Sequence, residues 1–208
     1  MKRLGSFGWV GGWALSAAIA LAACGGDEPP KAPVLTADPP LATAADDGAV
    51  ETELERGIAY VKNEKFAEAK EHFKKAIELK PTPTGWTYLG VASEKTGDRA
   101  GAEAAYKSAL KIDPGFAEAA ENLAALYLDD PPRPDEAIAV LKPAIDKTKD
   151  NVGLLQNLGF AYGVKGDLDA AVEADAAALA KGEDAQIRYA YGALLYEKKQ
   201  PEKAADQL

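Results

Sequence analysis

The 208-residue sequence has little of the chemistry on which catalytic and metal sites are built. It contains one cysteine and one histidine, which excludes both an intrachain disulfide and a cysteine-rich metal site. Acidic residues outnumber basic ones by 33 to 24, and the formal net charge is −9. Because binding to a phosphate backbone requires clustered Lys and Arg side chains, this charge disfavours nucleic acid as a partner.

Motifs of the common enzyme classes are also absent. There is no Gly-x-Ser-x-Gly, no Gly-x-x-x-x-Gly-Lys and no His-Glu-x-x-His. We expect the lone histidine, His72, to be a solvated helix residue, and we expect Glu51, Glu53 and Glu55 to be solvated charges near a helix start. The sequence therefore predicts no catalytic residue, no metal and no cofactor, with an enzyme containing a cryptic site as the alternative.

The N-terminus has the layout of a secretory signal. Lys2 and Arg3 precede an apolar stretch from about Trp9 to Ala23. This stretch is roughly 15 residues long, whereas a helix that spans a bilayer needs about 20 apolar residues. A permanent transmembrane helix is therefore the weaker alternative.

Leu21-Ala22-Ala23-Cys24 ends the apolar stretch and resembles the bacterial lipobox. The resemblance implies that signal peptidase recognises Leu21, Ala22 and Ala23, that the Cys24 sulfur receives diacylglycerol, and that the chain is cleaved before Cys24 and then acylated. Residues 1–23 are then a lipoprotein signal peptide. A lone cysteine in an ordinary signal is the alternative.

The residue after Cys24 bears on location. It is Gly25, whereas in the Gram-negative lipoproteins that the sequence resembles an Asp there favours retention at the inner membrane. We expect the mature protein to be lipid-anchored in the bacterial cell envelope, at the outer membrane and facing the periplasm. Two or more acyl chains hold a protein firmly on a membrane, whereas one binds reversibly.

Residues 24–49 are predicted to form a disordered tether. The segment is rich in Pro, Ala, Asp and Thr, contains five prolines and shows no apolar periodicity. A spacer of this kind lets a folded domain stand off the membrane. The alternative is that the Pro-Pro pairs are themselves recognised by a partner.

From about Val50 the sequence repeats. Small residues recur at steps of 33, 34, 35 and 33, and a second series of alanines follows them at intervals of 12 or 13. The first series is Gly57, Gly90, Ala124, Gly159 and Gly192, and the second is Ala69, Ala102, Ala137, Ala171 and Ala204.

This pattern resembles the tetratricopeptide repeat (TPR), a 34-residue pair of antiparallel helices. The second unit carries Trp86, Leu89, Gly90, Gly97, Ala102, Tyr106, Ala109 and Pro114 at the family's characteristic positions 4, 7, 8, 15, 20, 24, 27 and 32. The resemblance implies an all-α, right-handed superhelix over residues 50–208, with four full repeats and a truncated fifth. Their predicted bounds are about 50–82, 83–116, 117–151, 152–184 and 185–208.

Helix bounds follow from the same register. The predicted pairs are 50–63 with 66–79, 84–95 with 99–111, 116–128 with 135–148, 152–164 with 168–181, and 185–198 with 202–208. Pro143 should kink its helix because it lacks a backbone donor. Asp175 stands where a large apolar residue is expected, which predicts looser packing or solvent exposure there.

The resemblance also implies a concave groove lined by the first helix of each repeat. The predicted partner-binding residues are Ile58, Thr87, Val91, Glu121, Ala125, Gln156, Phe160, Tyr189 and Tyr196. Leu54, Val61, Glu94, Leu128 and Ala193 lie on the same wall. Its alternative role is to fill the superhelix interior. Some family members hold a C-terminal carboxylate with Lys and Asn, but Leu54, Thr87 and Glu121 occupy those places, so that clamp is not expected.

We therefore expect an adaptor that binds another envelope protein or peptide segment and aids its assembly or localisation. Its layout is similar to that of pilotin-type lipoproteins, which carry secretin subunits of type IV pili. The alternative is a regulatory scaffold that presents proteases or cell-wall enzymes to substrates. The sequence stops inside the last predicted helix, so no further helix covers its exposed side. Three explanations are left open: the exposed side is small enough to be tolerated, another chain covers it, or further sequence follows. The partner and the oligomeric state are left open.

Overall fold

The computed structural model describes residues 44–149, 151–182 and 184–206. These residues contain ten α-helices and no strand. In chain order the helices are α1 (Ala44–Lys62), α2 (Phe66–Leu79), α3 (Pro83–Lys95), α4 (Arg99–Ile112), α5 (Ala117–Leu128), α6 (Pro134–Thr148), α7 (Val152–Lys165), α8 (Leu168–Leu179), α9 (Ala185–Glu197) and α10 (Pro201–Ala205). They form five successive pairs, and each helix packs against its neighbours in sequence. The described part of the chain is therefore a stack of helix pairs.

Side-chain caps explain where many helices begin. The Thr82 hydroxyl accepts a hydrogen bond from the Gly85 N–H at 3.0 Å, and the Asp98 carboxylate accepts one from the Gly101 N–H at 2.9 Å. The Asn151 side chain does the same for α7, at 2.9 Å from the Leu154 nitrogen. Each cap satisfies a backbone donor that the first helical turn leaves unpaired.

Small residues let the two helices of a repeat approach closely. In the first repeat the Phe73 ring lies against Gly57, and in the second the Tyr106 ring lies against Gly90, in the space that a Cβ atom would occupy. Both rings are fully buried. The predicted packing role of these glycines is therefore confirmed.

The fourth repeat departs from this arrangement, and the prediction for Asp175 is partly wrong. Asp175 takes the place of the ring and lies against Gly159, but it is only 3% exposed rather than open to solvent. Burial raises the pKa of the Asp175 carboxyl to about 7. A carboxyl group therefore sits in a packing position that the first three repeats fill with Phe73, Tyr106 and Leu141.

The predicted helix bounds agree with the structure to within two residues except at the two ends. Helix α1 begins at Ala44 rather than at Val50, so six residues assigned to the tether are helical. The Lys80 ammonium lies 2.6 Å from the Asp47 carboxylate and ties this extra turn to the end of α2. Helix α10 ends at Ala205, earlier than predicted. Helix α6 continues through Pro143 without a break.

An ion pair crosses every junction between consecutive repeats. At the first two junctions, a cation on the second helix meets an acid in the next repeat: Lys70 with Asp98 at 2.9 Å and Arg99 with Asp129 at 2.6 Å. At the last two junctions the order of charges is reversed. Asp135 on α6 lies 2.8 Å from Lys165, and Asp169 on α8 pairs with Lys198.

A polar cluster strengthens the junction between the second and third repeats. The Glu103 carboxylate on α4 accepts hydrogen bonds from Lys107 at 2.7 Å, from the Tyr127 hydroxyl at 3.1 Å and from Arg133 at 2.7 Å. The Arg133 guanidinium also lies 4.2 Å from the centre of the Tyr127 ring. This cluster holds the proline-containing turn before α6 against α4.

Candidate functional site

The first helices of the repeats form one wall of the stack. Helix α5 contacts both α3 and α7, and these contacts are more extensive than any between successive second helices. The first helices therefore line the inner side of the curve, as the repeat pattern predicts. All of the predicted groove residues lie on α1, α3, α5, α7 and α9.

The N-terminal part of this wall is largely closed. Leu54, Ile58 and Val61 on α1 are half-buried and pack against the core formed around Phe73. Val91 on α3 packs in the same way against the central core. In this half of the wall, most of the predicted groove residues serve to fill the interior, which is the alternative role foreseen for them.

Thr87 is wrong as a partner-binding residue. Its side chain is fully buried, and its hydroxyl donates a hydrogen bond to the Pro83 carbonyl oxygen, 2.8 Å away and one turn earlier in α3. Hydroxyls of Thr commonly bond to a carbonyl four residues earlier in a helix. Thr87 therefore stabilises α3 and presents no atom to a partner.

The C-terminal part of the wall is open and aromatic. Phe160 is 52% exposed, Tyr189 is 55% exposed and Tyr196 is 70% exposed. Val164, one turn after Phe160 on α7, is 39% exposed. We call these four residues the aromatic face. Val164 was not predicted as a groove residue, although its spacing of four residues from Phe160 places both on one side of the helix.

Helix geometry places the aromatic face opposite the buried side of its helices. On α7 the buried residues include Leu154, Leu158 and Ala161, which point away from the side that carries Phe160. On α9, Tyr189 and Tyr196 are seven residues apart and lie on one side, with the exposed Ala193 between them. Large apolar side chains that are exposed on two successive first helices, α7 and α9, are typical of a protein interaction site.

The middle of the wall is acidic. Glu94 at the end of α3 is exposed, and its carboxylate accepts a hydrogen bond from the buried Tyr106 hydroxyl at 3.0 Å. On α5, Glu118 is exposed and Glu121 is half-buried. Burial raises the pKa of Glu121, and the neighbouring negative charge of Glu118 raises it further. Ala125 is exposed beside them, and Gln156 on α7 is half-buried.

His72 is not the solvated residue that the sequence predicted. Its side chain is 18% exposed, and Nδ1 lies 2.8 Å from the Glu53 carboxylate on α1. The imidazole also stacks on the Tyr60 ring, with a centroid separation of 5.1 Å.

The Glu53 side chain is 14% exposed, so the expectation of a solvated Glu53 is also wrong. The hydrogen bond with His72 lowers the pKa of Glu53, and Arg56 lowers it further, against the opposing effect of burial. This contact belongs to the packing of α1 on α2, away from the aromatic face.

Across 44–149, 151–182 and 184–206, no group of three or more His, Cys, Asp or Glu side chains is placed to hold a metal ion. Within the same ranges, no helix combines the length and the apolar character needed to cross a bilayer. The predicted lipid attachment site at Cys24 and the recognition residues Leu21, Ala22 and Ala23 lie outside the described residues.

Comparison with known proteins identifies the repeat. Residues 54–115 and 94–152 match a family described as tetratricopeptide repeat. The fold of the described residues is a TPR solenoid. Proteins built from this repeat are typically non-catalytic scaffolds for protein–protein interaction. No curated protein matches the sequence.

Solved structures share the fold at low sequence identity. MamA from Desulfovibrio magneticus RS-1 is 20% identical with a TM-score of 0.65, over 76% of this chain and 90% of that one. The structure titled "Functional Characterization of Pseudomonas Aeruginosa pilF" is 21% identical with a TM-score of 0.69, over 78% and 75%. YrrB, described as a TPR protein with an unusual peptide-binding site, is 19% identical with a TM-score of 0.61, over 80% and 89%.

Proposed function

We propose that this protein is a membrane-anchored TPR adaptor that binds another envelope protein in its concave groove and aids the assembly or localisation of that protein. The observation that carries the proposal is the aromatic face at the C-terminal end of the inner wall. Exposed Phe and Tyr side chains cost free energy in water and dominate the energetics of protein interfaces. A solenoid with such a wall is suited to an extended segment or a helix laid in the groove.

The lipobox-like sequence supports the location in this proposal. Acylation of Cys24 after cleavage would fix the chain to a membrane, and Gly25 at the next position favours the outer membrane facing the periplasm. Mass spectrometry of the mature N-terminus tests this part directly. A diacylated and N-acylated Cys24 is the expected product, whereas a mature chain that starts downstream of Cys24 contradicts the anchor.

The partner class is tested by affinity capture of the full chain from solubilised envelopes. Recovery of one secretin-like subunit supports a role in pilus or secretin biogenesis. Recovery of a set of proteases or cell-wall hydrolases instead supports the regulatory scaffold. In either case the partner must be identified by mass spectrometry and rebound after purification.

The groove assignment has its own test. The double variant Phe160→Ala/Tyr189→Ala should lose at least about nine-tenths of the recovered partner, because truncating a hot-spot residue of an interface costs about 2 kcal/mol or more. The matched control is Leu79→Ala/Ile112→Ala, which truncates two exposed apolar residues at the ends of the second helices α2 and α4. Equal recovery by both double variants contradicts binding at the aromatic face.

A further inference from the structure

The aromatic face is continuous with the acidic middle of the wall. Gly153 lies seven residues before Phe160 on α7, which places both on one side of the helix. A Cβ atom on Gly153 would lie 2.5 Å from Oε1 of Glu121 on α5. The carboxylate of Glu121 therefore covers the N-terminal end of the strip that carries Phe160. Along the axis of α7, Gly153, which Glu121 covers, is separated from Phe160 by roughly 10 Å.

The charges on this part of the wall are uncompensated. Among the described residues, neither Glu118 nor Glu121 has a hydrogen-bond or ion-pair partner for its carboxylate. The fourteen residues assigned to the wall from the sequence include no Lys or Arg. A bound cation would therefore gain attraction without displacing an existing ion pair.

We infer that the segment bound in this groove is cationic at one end and apolar at the other, with Lys or Arg at Glu118 and Glu121 and apolar side chains on the aromatic face. This inference rests on the proposed function. The separation of roughly 10 Å corresponds to about three residues of an extended segment or two turns of a helix. An acidic segment would meet like charges, and a second copy of this chain has a net charge of −9. This net charge favours a different chain over a second copy as the occupant.

The test uses the full chain and three labelled synthetic peptides that differ only in charge. The first peptide has two Lys residues followed, after three alanines, by Phe and Leu. In the second and third peptides, Gln or Glu replaces both Lys residues. Fluorescence anisotropy should show that the Lys peptide binds about tenfold more tightly than the Gln peptide, and the Glu peptide should bind most weakly. Raising the salt from about 0.05 to about 0.5 M should remove most of this preference, because exposed charges are screened.

Matched variants separate the charge from the groove. Glu118→Gln/Glu121→Gln should abolish the preference for the Lys peptide over the Gln peptide. The control Glu78→Gln/Glu173→Gln removes the same charge from the second helices α2 and α8 and should keep the preference. Circular dichroism checks that each variant retains its helical content.

The outcomes distinguish this inference from the proposed function. If Phe160→Ala/Tyr189→Ala weakens all three peptides by a similar factor while Glu118→Gln/Glu121→Gln changes nothing, the charge inference is wrong and the groove assignment stands. If Phe160→Ala/Tyr189→Ala leaves all affinities unchanged, the groove assignment itself is wrong. Failure of all three peptides to bind contradicts the charge inference, and the affinity capture with Phe160→Ala/Tyr189→Ala then decides the groove assignment separately.

Discussion

The Asp175 carboxyl lies directly against the backbone of Gly159, in the place where the first two repeats hold an aromatic ring. Burial raises the pKa of this carboxyl to about 7. The folded state therefore keeps a proton that the unfolded chain loses near pH 3.8, and the stability from this site falls as the pH rises from about 4 to about 7. The fourth repeat is thus least favoured when Asp175 must ionise.

Replacing this carboxyl with a neutral group should stabilise the protein at high pH. We expect Asp175→Asn to raise the free energy of unfolding by about 2–3 kcal/mol at pH 8, because one pKa unit corresponds to about 1.4 kcal/mol and the buried amide loses part of the gain. At pH 4 the difference should nearly vanish. Urea unfolding at both pH values measures this difference in the free energy of unfolding. The control is Glu173→Gln, at an exposed position of α8. An equal gain at both pH values contradicts the assignment.

The contact between Gly90 and the Tyr106 ring predicts a steric effect. Gly90→Ala should destabilise the protein by about 1–3 kcal/mol, because the added methyl group overlaps a fully buried ring. Gly163→Ala on α7 should be neutral or stabilising by up to about 1 kcal/mol, since nothing lies within 4 Å of its Cβ position and alanine favours helices. Thermal unfolding compares the two, and a similar loss in both would show that the ring contact is not the cause.

The Glu103 cluster predicts a loss of stability in acid. Burial alone would raise the pKa of Glu103, but hydrogen bonds from Arg133, Lys107 and Tyr127 outweigh it and lower the pKa to about 2. Because the folded pKa lies below the ordinary value of 4.5, the stabilisation is complete above about pH 4.5 and is lost as the pH falls towards 2.

Removing the Glu103 charge should therefore lower stability mainly above about pH 4.5. Glu103→Gln should lower the free energy of unfolding by about 1–3 kcal/mol at pH 7 and by much less at pH 2.5. Urea titrations at the two pH values give the comparison. The control is Glu78→Gln, an exposed change on α2. A loss of the same size at pH 2.5 would indicate a packing effect instead.

The contact between His72 and Glu53 predicts that His72 stabilises the first repeat. His72→Ala removes both the hydrogen bond to Glu53 and the stacking on Tyr60, and should cost about 1–2 kcal/mol. Lys75→Ala, at an exposed position of the same helix, should cost less than about 0.5 kcal/mol. Thermal denaturation of the two variants decides, and equal midpoints would contradict a structural role for His72.

Much of the fold could be predicted because the repeat spacing records helix packing directly. Helix α2 has the predicted bounds, and Phe73 and Tyr106 pack on Gly57 and Gly90 as the pattern implies. The extra turn of α1 could not be predicted, because the ion pair between Lys80 and Asp47 joins positions that are distant in sequence.

The candidate site was predicted less completely. Phe160, Tyr189 and Tyr196 are exposed as expected, but repeat positions cannot tell which wall residues neighbouring helices cover. Thr87 is buried for this reason. The burial of His72 depends on Glu53 and Tyr60 from the preceding helix, which no local pattern reveals.

The ion pairs between repeats reverse their charges after the second junction, so the order of the repeats decides which charges meet. Loss of the third repeat by recombination would place Arg99 on α4 opposite Lys165, so that two cations would meet where each now faces an acid. Loss of the fourth repeat would still join opposite charges, because Asp135 would meet Lys198. Exposed pairs contribute only about 0–1 kcal/mol each. Even so, they make the third repeat a unit of the array that cannot be deleted without creating a like-charge contact.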